Sequence, residues 1–238
     1  MLKISLYGTF GKGYKEICLE KQNFQVSTHA ECLADPWSDH ALFKLPHVSS
    51  KNVRGDPLHI LFCKGLRSHL LGSILHYCCY YEGPKQRTAK KPWERLAILF
   101  SQIQIQYSEQ GCKNRMTNLK LSMFCDPQKP WAKHPVLDCK GSEARHLLPA
   151  FTPAIQAAFA ETMEECEEHM ITAATSLEKL VLLWDEIGTF PTPAEYEQGL
   201  HLANAFLQSY DWLNKWSLEK DRMGFHIVAK HHSFLHLV

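Results

Sequence analysis

No stretch of this 238-residue chain approaches the ~20 consecutive apolar residues of a membrane-spanning helix, so a membrane partner is not expected. The opening MLKISLYGTFGKGYKEICLE has no apolar core of signal-peptide length, which makes nucleus or cytoplasm the expected location. A Gly-x-Ser-x-Gly elbow is missing and no cysteine stands in a nucleophile's context, which leaves hydrolysis by covalent catalysis unsupported. The glycines Gly8, Gly11 and Gly13 are not followed by the Gly-Lys-Ser/Thr of a phosphate loop and read as a turn. His232 and His236 lie one helical turn apart, but no glutamate stands between them and no further pair has ligand spacing, so the metalloprotease pattern is absent. Cys125, His134, Cys139 and His146 match no common zinc module, and Glu164 and Glu168 lack the Glu-x-x-His partner of a carboxylate-bridged metal pair. Internal repeats, heptad series and low-complexity tracts are missing too, which excludes solenoids and coiled coils. The nine cysteines are odd in number and follow no framework, and Cys78 and Cys79 are too close to bridge each other, a usage that fits a reducing compartment.

What is present is enough for a core. Apolar residues make up 45% of the chain, a normal share for a folded domain of this length. The formal net charge of +1 hides a segregation: residues 50–145 hold sixteen Lys/Arg against seven Asp/Glu, and residues 146–238 hold five against thirteen. Such asymmetry has two readings: a polyanion-facing middle, or two parts that attract and pack on each other.

Helical periodicity dominates after residue 55. Asp56 can cap a helix start and Pro57 suits its first position, after which Leu58, Leu61, Phe62, Leu66, Leu70, Ile74 and Tyr77 keep helical spacing and predict a helix over 57–81. Gly65 and Gly72 inside that run each cost about 1 kcal/mol against alanine, so their presence predicts close approach by another element. A second helix is expected over 93–110, then a proline-rich loop over 111–149, a long helix over 152–187 and its antiparallel mate from Pro193. Short strands over residues 1–27 and an irregular connection to residue 55 precede all this. The closing run from Phe225 to Val238 is apolar, has no capping residue and reads as an element cut short.

The fold class expected is therefore mainly α: long amphipathic helices with a small irregular or β-containing N-terminal part. Three segments are expected, an N-terminal stretch 1–55, a basic helical region 56–150 and an acidic helical hairpin region 151–238. In the basic region Lys85, Arg87, Lys90, Lys91 and Arg95 are the candidate phosphate contacts, with Trp93, Phe100, Tyr107, Phe124 and Trp131 as aromatics able either to stack on bases or to fill the core.

One stretch has a residue order of its own. Asp56-Pro-Leu-His59-Ile60, followed by Gly72-Ser73-Ile74-Leu75, resembles the Asp-x-x-His-Ile and Gly-Ser/Thr-x-Leu elements of CACTA-type transposases and of transposon-derived multi-copy proteins of eukaryotes. The late Lys230-His231-His232-Ser-Phe-Leu-His236 is similar to a Lys-x-His segment of the same group. The resemblance implies a DDE-type ancestor in which Asp56 is a catalytic metal ligand with His59 as its neighbour, Mg²⁺ as cofactor and DNA as partner. Such a core needs further carboxylates on preceding strands, and Glu16, Glu20, Glu31, Asp35 and Asp39 end no recognisable strand, while an Asp-Pro helix start accounts for Asp56 as a plain cap. The expectation is thus a transposase remnant that contacts nucleic acid without sequence preference and does no catalysis. The alternative is a helical protein-interaction module that meets another protein through residues 152–220 and an exposed C-terminal run.

Overall fold

The computed structural model describes residues 56–81, 91–160, 163–187 and 191–234. These are mainly helical, and no strand occurs among them. The elements are α1 (Pro57–Leu61), α2 (Leu66–Tyr80), α3 (Pro92–Glu109), a 3-10 turn (Leu121–Met123), α4 (Gly141–Phe159), α5 (Glu165–Glu186), α6 (Pro193–Glu219) and α7 (Ala229–Phe234). The strands expected in residues 1–27 lie outside the described residues.

Local signals account for most helix starts. The backbone N–H groups of Lys91, Lys140, Glu164 and Thr192 each donate to the carboxylate of a glutamate three residues on, at 2.8, 2.9, 2.9 and 2.6 Å. Each glutamate therefore satisfies an amide at the helix entrance and puts negative charge at the positive end of the helix dipole. Only Thr192 completes the reciprocal box, its hydroxyl accepting from the Glu195 N–H at 3.3 Å.

The helix expected over 57–81 is broken. Residues Phe62–Gly65 form a turn in which Lys64 takes a left-handed φ of 50°, and α2 starts afresh after Gly65. A Cβ at Gly65 would lie 2.3 Å from the Ile60 carbonyl oxygen, so the chain folds back over α1 only because nothing is there. The helix expected over 152–187 is likewise two: the first starts at Gly141 and ends at Phe159, and α5 begins at Glu165. Pro149, expected in the proline-rich loop, sits within α4 together with Pro153.

The core is arranged around α2. Thirteen of its fifteen residues are buried, so it has no solvent face and is surrounded rather than amphipathic. It packs against α3, α4 and α5, and α5 runs against α6 as the expected helical pair. One apolar cluster runs from Ile60 to Phe234, and the boundary expected after residue 150 falls in the middle of α4. The basic and acidic segments therefore share one core, and they also meet in a bidentate pair, the Arg145 guanidinium donating to both Asp185 carboxylate oxygens at 2.6 and 2.7 Å.

The loop between α3 and α4 is tied down rather than loose. Its Leu137 N–H donates to the Ser68 carbonyl of α2 at 2.9 Å, Asp138 N–H to the Met123 carbonyl at 2.7 Å, and Gln104 of α3 donates to the Met116 carbonyl at 2.9 Å. Of the C-terminal run expected to be exposed, the described part to residue 234 is packed inward: Phe225, Ile227, His231 and Phe234 are each at most 2% accessible. The apolar faces of α2 and α6 leave no other place for it, and Asn214 and Tyr210 of α6 hold it by donating to the Phe225 and His226 carbonyls.

Candidate functional site

Helices α1 and α7 are far apart in sequence and adjacent in space. Helix α7 packs on α1, and the Lys230 ammonium donates to the Cys63 and Lys64 carbonyls at 2.9 and 2.8 Å, closing the turn that follows α1. Nothing in the sequence marked Lys230 for this role; the turn that exposes those carbonyls is a product of Gly65. At the other end of α1, Asp56 and His59 stand on the surface, with side chains 53% and 69% accessible, and His59 Nδ1 donates to Asp56 Oδ2 at 2.5 Å. Asp56 thus sits at the helix start, as expected, on an exposed edge. Among the described residues no group of three or more His, Cys, Asp or Glu side chains is placed to hold a metal ion.

Beside α7 runs a seam of imidazoles. The rings of His134 and His226 stack with centroids 4.1 Å apart and planes 10° off parallel, and His69 of α2 and His231 of α7 lie close by. Burial lowers the pKa of all four, to about 4 for His69 and about 3 for His231, with neighbouring imidazoles adding repulsion at His69, His226 and His231, and Lys230 at His69. The His231 ring is held at Nδ1 by the Val228 backbone, whose N–H and carbonyl lie 3.1 and 3.3 Å away. The seam is neutral packing at neutral pH.

The expected phosphate contacts divide. Lys85, Arg87 and Lys90 lie outside the described residues. Lys91 is exposed at the entrance of α3. Arg95 is not a free surface cation: its guanidinium donates to the Cys79 and Tyr81 carbonyls at 3.1 and 3.3 Å and so closes the end of α2. Arg67, at 1% accessibility, is also structural, donating to the Arg145 carbonyl at 2.7 Å with its guanidinium 4.7 Å from the Phe62 ring centre. Burial brings its pKa down to about 9, partly offset by Glu178.

The exposed charge lies further along. Lys113, Arg115, Lys120, Lys129, Lys133 and Lys140 are all exposed, and none is ion-paired with another described residue. The same stretch, 113–140, contains only two acids. Asp126 accepts from the Gln128 N–H at 2.9 Å and Asp138 meets Lys64 at 3.3 Å, so both are engaged locally while the five lysines face solvent and the exposed Arg115 donates to the Cys112 carbonyl and the Ser108 hydroxyl. Of the candidate aromatics, Tyr107 and Phe124 are core and Trp131 is half-buried against His76 and Arg222. Trp93 is 57% accessible and borders, with Phe100, a cleft of about 700 Å³ between α3 and the loop residues 119–127.

No family model matches the chain, and no curated protein or solved structure matches it.

Proposed function

We propose that this chain is a transposon-derived, DDE-type remnant that contacts nucleic-acid phosphates through the 113–140 loop and does not itself carry out strand transfer. The observation that carries the reading is the set of six exposed cations, without an ion pair to any described residue, on a loop fixed to α2 and α3, beside which both local acids are already engaged. Cations held on a rigid support lose little freedom on meeting a phosphate backbone, and each phosphate neutralised releases a condensed counterion. The meeting of α1 with α7 supports the transposase part, because it brings together parts of the two segments on which the resemblance rests. Were an active DDE site assembled with further carboxylates, Asp56 would be a Mg²⁺ ligand there and His59 its orienting neighbour.

The test is fluorescence anisotropy of a labelled DNA duplex across a salt series, with a Lys113/Lys120/Lys129/Lys133→Gln variant beside the parent. Arg115 stays, because its guanidinium donates to the Cys112 carbonyl at the end of α3. The expected result is a steep fall of affinity with salt, and a variant whose log–log salt slope is shallower by about 3 to 4, roughly one for each phosphate no longer neutralised. An unchanged slope in a folded variant refutes this surface.

A further inference from the structure

Trp93 is an unusual residue to leave in solvent. It stands in the first turn of α3, and it forms one wall of the cleft whose other surfaces are Phe100, Leu121 and Pro127, with Lys120 exposed on the rim. The floor is apolar, supplied by Leu96 and Leu119, both buried. At about 700 Å³ the cleft is in the size range of small-ligand sites, and ample for a planar heterocycle. Its lining includes Lys120 of the cationic loop, which has no ion pair with a described residue.

We propose that this cleft takes an unpaired nucleobase of a single strand, stacked on Trp93, with the adjoining phosphate on Lys120. An apolar slot flanked by indole and phenyl rings suits any base, since every base has a π face, and the lysine on the rim selects a ligand that carries negative charge beside its flat ring. A neutral aromatic would leave Lys120 without a partner, and a bare phosphate would leave the slot empty. The charge of the surrounding loop, six cations to two acids, argues for a polyanionic strand over an acidic or apolar protein segment. A base inside a duplex cannot enter, so the cleft distinguishes single from double strands, which the phosphate contacts alone do not.

This inference rests on the phosphate-contacting surface proposed above, and a test with matched strands separates the two. The full chain is titrated with a labelled oligothymidine and with an abasic strand of the same length and phosphate number, alongside Trp93→Ala and Lys120→Gln variants. The expected result is oligothymidine binding about 5- to 150-fold tighter than the abasic strand, the worth of one stacked base. Trp93→Ala should erase that preference while leaving abasic binding and its salt slope unchanged, and Lys120→Gln should weaken both strands. Because more than half of the Trp93 surface is already in solvent, its removal leaves the core intact. Equal, salt-dependent binding of the two strands overturns the nucleobase site and leaves the phosphate surface standing. Binding of neither strand overturns both. A preference for oligothymidine that survives in Trp93→Ala also overturns the site, by placing the stacking elsewhere.

Discussion

Replacing Gly72 by alanine should destabilise this protein although it improves the helix. Gly72 lies within α2, where an alanine would on propensity alone add about 1 kcal/mol. The added Cβ would lie 2.6 Å from the Leu137 amide nitrogen, 2.8 Å from Val136 Cα and 2.9 Å from the Val136 carbonyl carbon. All three are backbone atoms, and a relaxed contact needs about 3.5 Å, so the 136–137 segment must retreat by roughly 0.8 Å. That retreat stretches the Leu137 N–H bond to the Ser68 carbonyl, now 2.9 Å, beyond useful length. Overpacking of this kind costs ~1–3 kcal/mol and the broken hydrogen bond about 1 kcal/mol more, so after the propensity gain the net loss is about 1–3 kcal/mol. Gly199 of α6 is the matched control. Its added Cβ would meet only the side-chain methyls Leu180 Cδ1 and Leu183 Cδ2 at 3.7 Å, an ordinary contact, so Gly199→Ala should stabilise by about 1 kcal/mol. Urea unfolding of the two variants reads both signs as opposite shifts of midpoint at constant slope. A Gly72→Ala protein as stable as Gly199→Ala would refute the close approach of loop and helix.

Other outcomes follow from the same geometry. Phe234→Ala should cost ~3–5 kcal/mol in urea unfolding, because the ring is fully buried against Trp184 and Phe206; a loss below about 1 kcal/mol would return the C-terminal run to the surface. Stability should fall on acidification. His69 and His76 are lowered to about 4 by burial, so both are neutral in the folded protein, and each contributes stability that is complete above about pH 6.5 and is lost as pH drops through that value towards 4. A His76→Gln variant should accordingly lose up to ~1.4 kcal/mol per pH unit from the slope between pH 6 and 4.5, and an unchanged slope would show that His76 is not neutralised by folding.

How far the sequence reached differs from element to element. The start of α6 was legible because Thr192-Pro193 act through the backbone of their own first turn, and the glycine pair in 65–72 announced close contact because glycine in a helix needs a compensating reason. The join of α1 to α2 was hidden, since apolar spacing continues across Phe62–Gly65 and the break shows only in Lys64 at positive φ. The start of α4 was hidden for the opposite reason: Pro149 reads as a breaker, yet in α4 it is tolerated among buried neighbours. For the candidate site, composition located the excess of cations in the middle of the chain, but Arg67 and Arg95 look no different in sequence from Lys129 and Lys133. A charge is free only where packing leaves it so.

The sequence alone determined a helical chain, the starts of α1 and α6, its two charged segments and the pairing of α5 with α6, because propensity, capping and 3.6-residue periodicity are local properties. The tertiary structure decided the rest. It buried α2 on every side, covered the C-terminal run, set Arg67 and Arg95 to structural work, and brought Lys230 to the carbonyls that end the α1 turn. Those outcomes depend on which surfaces exclude water together, and that is a property of pairs of distant segments which no window along one chain contains.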